Sequence, residues 1–221
     1  MVFNQQIYLQ AVDFFQQHDP KIHSILVKHG YLAPLPQRNL FATLVGTIIG
    51  QRIRFNLARQ QRKKLYLELG TDNFTIDDLI NRGILFLQDH EINQFGMDDI
   101  INYGLNFLNQ IGIDQIRCQV IKDLVMYLKT EDIELLDSSQ LNQLKKIKGI
   151  KDWTINCTKI MHDLNNNQEQ QEDCLLYQDL IIRRGIQKLY GIINESQIIE
   201  LSKKWSPWGN IVTWYLWKEF T

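Results

Sequence analysis

Lys145-Lys-Ile-Lys-Gly-Ile-Lys-Asp-Trp-Thr154, followed after a polar run by Tyr177-Gln-Asp-Leu-Ile-Ile-Arg-Arg184, is the stretch on which the reading of the chain turns. Its first part predicts a helix, a tight turn at Gly149 and a second helix, with spans of 138–147 and 152–164 and lysines gathered at the turn. The start of a helix offers backbone N–H groups without intrahelical partners, and its dipole favours negative charge. Lys145, Lys146, Lys148 and Lys151 lie around that start. Contacts of this kind hold a phosphate backbone in register and carry no base information. An ordinary helical hairpin with solvated lysines fits the same residues. Asp179 stands just before an apolar-periodic helix over 180–190, where an N-cap belongs. A carboxylate accepting backbone N–H bonds is held ionised and in one orientation. A developing positive charge nearby would be stabilised by it, so capping and chemistry are compatible roles.

Outward from this stretch nearly everything predicts helix. Phe3, Ile7, Ala11 and Phe14 recur at helical spacing; Asp19-Pro20 supplies a cap and a proline for the first helical position, and Gly30 closes that segment. Residues 31–39, with Pro34 and Pro36, read as a linker. A helix over 40–50 is apolar on most sides and breaks at Gly50-Gln51-Arg52-Ile53. A basic amphipathic helix follows over 55–69 and ends at Gly70. Thr75 and Asp78 form a capping-box pattern. The stretch 83–97 is open between strand and helix. Helices are expected over 98–111 and 114–128, the second with Ile116, Val120, Leu124 and Leu128 on one face. The Asn-, Gln- and Glu-rich run 165–173 reads as a solvated loop, and helices over 195–205 and 208–220 finish the chain. The fold class is all-α, with two helical lobes, one over about 40–130 and the other from 1–35 plus about 131–221.

Composition narrows the rest. The 221 residues suffice for a sizeable core, and 44% hydrophobic with 22% charged residues is ordinary for a globular protein. A formal net charge of -1 gives no global nucleic-acid signature, so any such affinity must rest on a local basic patch. Cys118, Cys157 and Cys174 are scattered, which argues for a reducing, intracellular setting and against a disulfide framework or a four-cysteine cluster. No metal site or cofactor is expected. No secretory signal or membrane-spanning run is seen. Trp208, Trp214 and Trp217 form either a dense core helix or an aromatic pocket on which a base could stack, a contact worth roughly 1–3 kcal/mol.

Taken together, these segments resemble the helix-hairpin-helix DNA glycosylases, most closely the 3-methyladenine DNA glycosylase II branch. Leu44-Val-Gly-Thr-Ile-Ile-Gly-Gln-Arg-Ile53 looks like the family's buried helix ending in a Gly-Gln turn, and Ile111-Gly-Ile-Asp-Gln-Ile-Arg117 like its glycine turn before a basic residue. Residues 144–156 look like the hairpin, 177–184 like the segment carrying the catalytic aspartate, and Trp205-Ser-Pro-Trp208 through Trp217 like the C-terminal helix.

The resemblance implies a base-excision enzyme. It would flip a damaged nucleotide from duplex DNA into a cleft between two lobes, at an unstacking cost of a few kcal/mol, and hydrolyse its N-glycosidic bond. Asp179 takes the catalytic position. Lys148, Gly149, Lys151 and Thr154 fall on the DNA-gripping hairpin, and Arg52 or Ile53 on the plug that fills the vacated stack. Bifunctional members carry a Schiff-base lysine where this chain has Trp153, which implies a monofunctional enzyme. Trp153, Trp217 and Cys157 would line the base pocket, and an aromatic pocket suits alkylated, cationic purines. The expected partner is double-stranded DNA with a damaged base, met by a monomer. A mismatched thymine, uracil or an oxidised purine stay open as substrates, as does a non-catalytic helical DNA-binding module. Three positions depart from the family: Lys151 replaces a glycine, Cys157 a tyrosine and Gly209 an arginine. A left-handed Lys151 would cost roughly 1–2 kcal/mol.

Overall fold

The computed structural model describes residues 3–33, 36, 38–135, 137–164 and 175–221; of Asp163 only the backbone is included. The polar run 165–173, Cys174 and Pro34 of the linker lie outside them. All regular structure among the described residues is helical. By contacts the chain divides into two units, Met1–Pro36 with Lys159–Thr221, and Gln37–Thr158.

The first unit begins with α1 (Gln5–His18) and α2 (Pro20–His29) and ends with α10 (Leu180–Tyr190), α11 (Glu195–Lys203) and α12 (Gly209–Phe220). On α1 the buried face is Ile7, Ala11 and Phe15, not Phe14, because an i, i+4 step keeps a side chain on one stripe. Asp19 caps α2 through Oδ1, which accepts from Lys21 N and Ile22 N. Both carboxylate oxygens also accept from Tyr190 Oη at 2.8 Å, and Oδ2 accepts from Trp205 Nε1 at 2.9 Å. This buried carboxylate is consumed by structure, and burial with the Asp19 bond raises the pKa of the Tyr190 phenol. Glycine 185 lets α10 and α12 close up, since a Cβ there would stand 2.6 Å from the Phe220 ring.

The second unit holds α3 (Leu40–Ile49), α4 (Phe55–Leu69), α5 (Ile76–Asp89), α6 (Met97–Asn102), α7 (Phe107–Gln110), α8 (Gln115–Thr130) and the start of α9 (Asp152–Asp163). Helix α3 is buried on nearly every side, as its composition requires. The open stretch 83–97 resolves into the end of α5, a loop and the first residue of α6. The single helix expected over 98–111 is instead broken into α6, a 3-10 turn at Gly104–Asn106 and α7. Gly83 and Gly104 meet backbone to backbone there: a Cβ on Gly104 would lie 2.7 Å from the Gly83 carbonyl oxygen. Ile116 does not join the buried face of α8; it is 79% exposed, while Val120, Leu124 and Leu128 are buried with Ile121 and Val125. No helix among the described residues is long and apolar enough to cross a membrane, and no group of three His, Cys, Asp or Glu residues there could hold a metal.

Candidate functional site

The hairpin departs from two α-helices. Its first arm, Ser138–Lys146, is a 3-10 helix. Leu141, Leu144 and Ile147 recur every three residues and are buried, and a three-residue turn stacks them on one edge. A hydrogen-bonded turn follows, Ile150 N–H donating to Ile147 O at 3.1 Å, with Gly149 at φ +100°. The left-handed third position is the type II requirement for glycine. A Cβ there would also stand 2.4 Å from Val120 Cγ2. Lys151 has an ordinary negative φ; among the described non-glycine residues only Arg52, Glu91 and Asp132 are left-handed. The expected cost of a left-handed Lys151 therefore does not arise. Of the four lysines, Lys145 pairs with Asp152 at 2.5 Å and Lys146 lies over the Tyr127 ring. Lys148 and Lys151 are exposed and form no ion pair among the described residues.

Gln51 ties this turn to the end of α3. Its Nε2 donates to Gly149 O at 3.0 Å and to Thr154 Oγ1 at 2.8 Å. Thr154 is 2% exposed, so its hydroxyl serves the clamp. Beside Gln51, Arg52 is exposed and left-handed at φ +55°, a conformation that non-glycine residues rarely hold; Ile53 is half-buried. Arg117 is buried, but it donates to Asp114 Oδ2, Gln61 Oε1 and Ile49 O, so it braces the C-terminal end of α3.

Asp179 belongs to the first unit. It is buried, and its Oδ1 accepts from Ile181 N at 2.8 Å and Ile182 N at 3.2 Å, capping α10 as expected. Just upstream, Leu176 N–H donates to Thr213 Oγ1 on α12 at 3.1 Å, which pins the segment that carries Asp179. Trp217 lies one turn further along α12, half-buried, edge-on to Trp214 with centroids 6.4 Å apart.

No family model and no curated protein matches the sequence. Solved structures match in fold, and two of them are glycosylases. A DNA-3-methyladenine glycosidase from Bacillus halodurans is 18% identical with a TM-score of 0.56, over 93% of this chain and 86% of that one. A Clostridium acetobutylicum 8-oxoguanine glycosylase/lyase, solved with double-stranded DNA, is 14% identical with a TM-score of 0.66, over 95% of this chain and 68% of that one. The chain shares its fold with these two glycosylases.

Within this fold, sequence reasoning missed one group. Arg62 on α4 lies against Gly46 and Gly50, near the Tyr66 phenol, the Cys157 thiol and the Arg38 guanidinium. Burial lowers the pKa of its guanidinium and raises that of the Tyr66 phenol. The sequence signal was only that α4 and its lead-in carry Arg52, Arg54, Arg59, Arg62, Lys63 and Lys64 with no acid between Gly50 and Tyr66. Trp153 is half-buried and Cys157 buried, both on α9.

Proposed function

We propose that the protein is a monofunctional DNA glycosylase that removes a damaged, alkylated purine from duplex DNA as a monomer. The observation that carries the reading is the buried Asp179 carboxylate, fixed by two backbone N–H groups at the start of α10, in a fold shared with two glycosylases. Cleavage of an N-glycosidic bond builds positive charge on the sugar. A carboxylate held in advance stabilises that charge without reorganising, and can orient the attacking water. An alkylated purine is already a good leaving group, so no general acid is demanded. Trp217 supplies a stacking face, and the exposed Lys148 and Lys151 with the exposed Arg59, Lys63 and Lys64 of α4 supply phosphate contacts. Arg52, held in a strained turn, is the proposed plug. An indole at Trp153 offers no amine for a Schiff base, so the product is an abasic site in an uncut strand.

The test is Asp179→Asn. Base release from alkylated duplex is expected to fall by about a hundredfold or more, with DNA affinity largely kept; retained release would overturn the reading. Borohydride should trap no protein–DNA adduct, and a trapped adduct would exclude the monofunctional subclass.

A further inference from the structure

Three arginines surround α3, and two of them are satisfied. Arg38 donates to Asp72 and lies over the Tyr66 ring. Arg117 has three acceptors. Arg62 has none: its Nε is sealed from solvent without a partner, and no hydrogen bond or ion pair engages it among the described residues. Its charged neighbour is another cation, Arg38. The fold nevertheless makes room for it. Gly46 and Gly50, one turn apart on α3, leave a bare strip of backbone; a Cβ at Gly50 would stand 2.9 Å from Arg62 Nη2, and one at Gly46 3.7 Å from Cδ.

A buried donor left unmatched is costly, and more so when it is charged. Such a group persists where a ligand supplies what the protein withholds. The missing partner must be an acceptor. A duplex phosphate is a poor candidate, because it stays at the surface, where exposed Arg52, Arg54, Arg59, Lys63 and Lys64 are available to it. A base can bring an acceptor edge inward. The guanidinium can donate to the O6 acceptor of a guanine edge, which stays open when N7 carries a methyl group. An adenine edge instead turns its N6 amine, a donor, toward the donors of the arginine.

Resting on the glycosylase reading, we propose that Arg62 is a specificity-determining residue that selects guanine-derived over adenine-derived damaged bases through their exocyclic oxygen, beside Cys157. Arg62→Met keeps the stem and removes charge and donors.

The experiment measures release of methylated guanines and methylated adenines from the same methylated duplex, by chromatography, for wild type and Arg62→Met, together with the Tm of each. Wild type is expected to release the guanines in preference, and the variant to lose that preference by roughly tenfold or more while adenine release stays within about twofold. Its Tm should be equal or higher, because an uncompensated charge is gone. Equal loss on both bases, or a Tm lowered by several degrees, would assign Arg62 a structural role and overturn the proposal while leaving the glycosylase reading intact. Release of neither base by wild type would overturn the reading beneath it.

Discussion

Two nearby positions of the hairpin differ in what the backbone demands of them. Gly149 combines φ +100° with a Val120 methyl where its Cβ would be. Gly149→Ala should therefore destabilise the protein by about 1–3 kcal/mol and weaken DNA binding, as read by thermal melting and titration. Lys151 has no such constraint, so Lys151→Gly should leave stability within about 1 kcal/mol of wild type or slightly lower, through added chain entropy. A clear stabilisation by glycine would show that the lysine is strained. Both capping aspartates cap through Oδ1. Asp19 spends both oxygens on Tyr190 and Trp205 besides its cap.

At the scale of elements, the fold is held by short polar ties at helix ends. Glu219 of α12 accepts from Lys28 at 2.7 Å and meets His29 Nε2 at 2.6 Å, joining α12 to the last turn of α2. The Lys28 bond, ahead of the His29 bond, holds its carboxyl below the ordinary 4.5 despite partial burial. A depressed folded-state pKa stabilises above the unfolded value and ceases to do so as pH falls through the folded one. The stability gap between wild type and Glu219→Gln should thus be present at pH 7 and close on acidification below 4.5. Its size should stay under about 1 kcal/mol, because Lys28 is largely exposed. Denaturant titrations at pH 3 and pH 7 would decide; a gap that widened in acid would contradict the pairing. The helix boundaries, by contrast, follow from local chemistry: Asn39, Thr75, Asp114 and Asn194 cap through their side chains, and Gly70 and Gly191 end α4 and α10 in the left-handed region.

Over the whole molecule, a net charge of -1 leaves no long-range attraction for a polyanion. On the proposed function, affinity for DNA is assigned to exposed cations of the second unit, Lys148 and Lys151 at the turn and Arg52, Arg54, Arg59, Lys63 and Lys64 around α4. Lys148→Glu is expected to weaken binding to all duplex sequences alike and to reduce the slope of log affinity against log salt by about one or more. A loss confined to particular sequences would mean that Lys148 reads bases. The hairpin's phosphate grip would then have to rest on other groups.

What the sequence determined by itself is everything whose cause lies within a turn or two of chain. The caps, the closing glycines, the buried α3, the basic α4 and the Asp179 N-cap are set by neighbours three or four residues apart. Where local patterning failed, the cause was distant. The helix expected over 98–111 breaks because Gly83 and Gly104 meet, and Ile116 is exposed because helical spacing alone does not say where the core ends. Tertiary structure alone decided that Gln51 clamps Gly149 and Thr154, 98 and 103 residues away. It also decided that Arg117 is braced by α3 and α4 while Arg62, among the described residues, is braced by nothing. The sequence shows six cations between Gly50 and Tyr66; only packing shows which of them was buried without an acceptor.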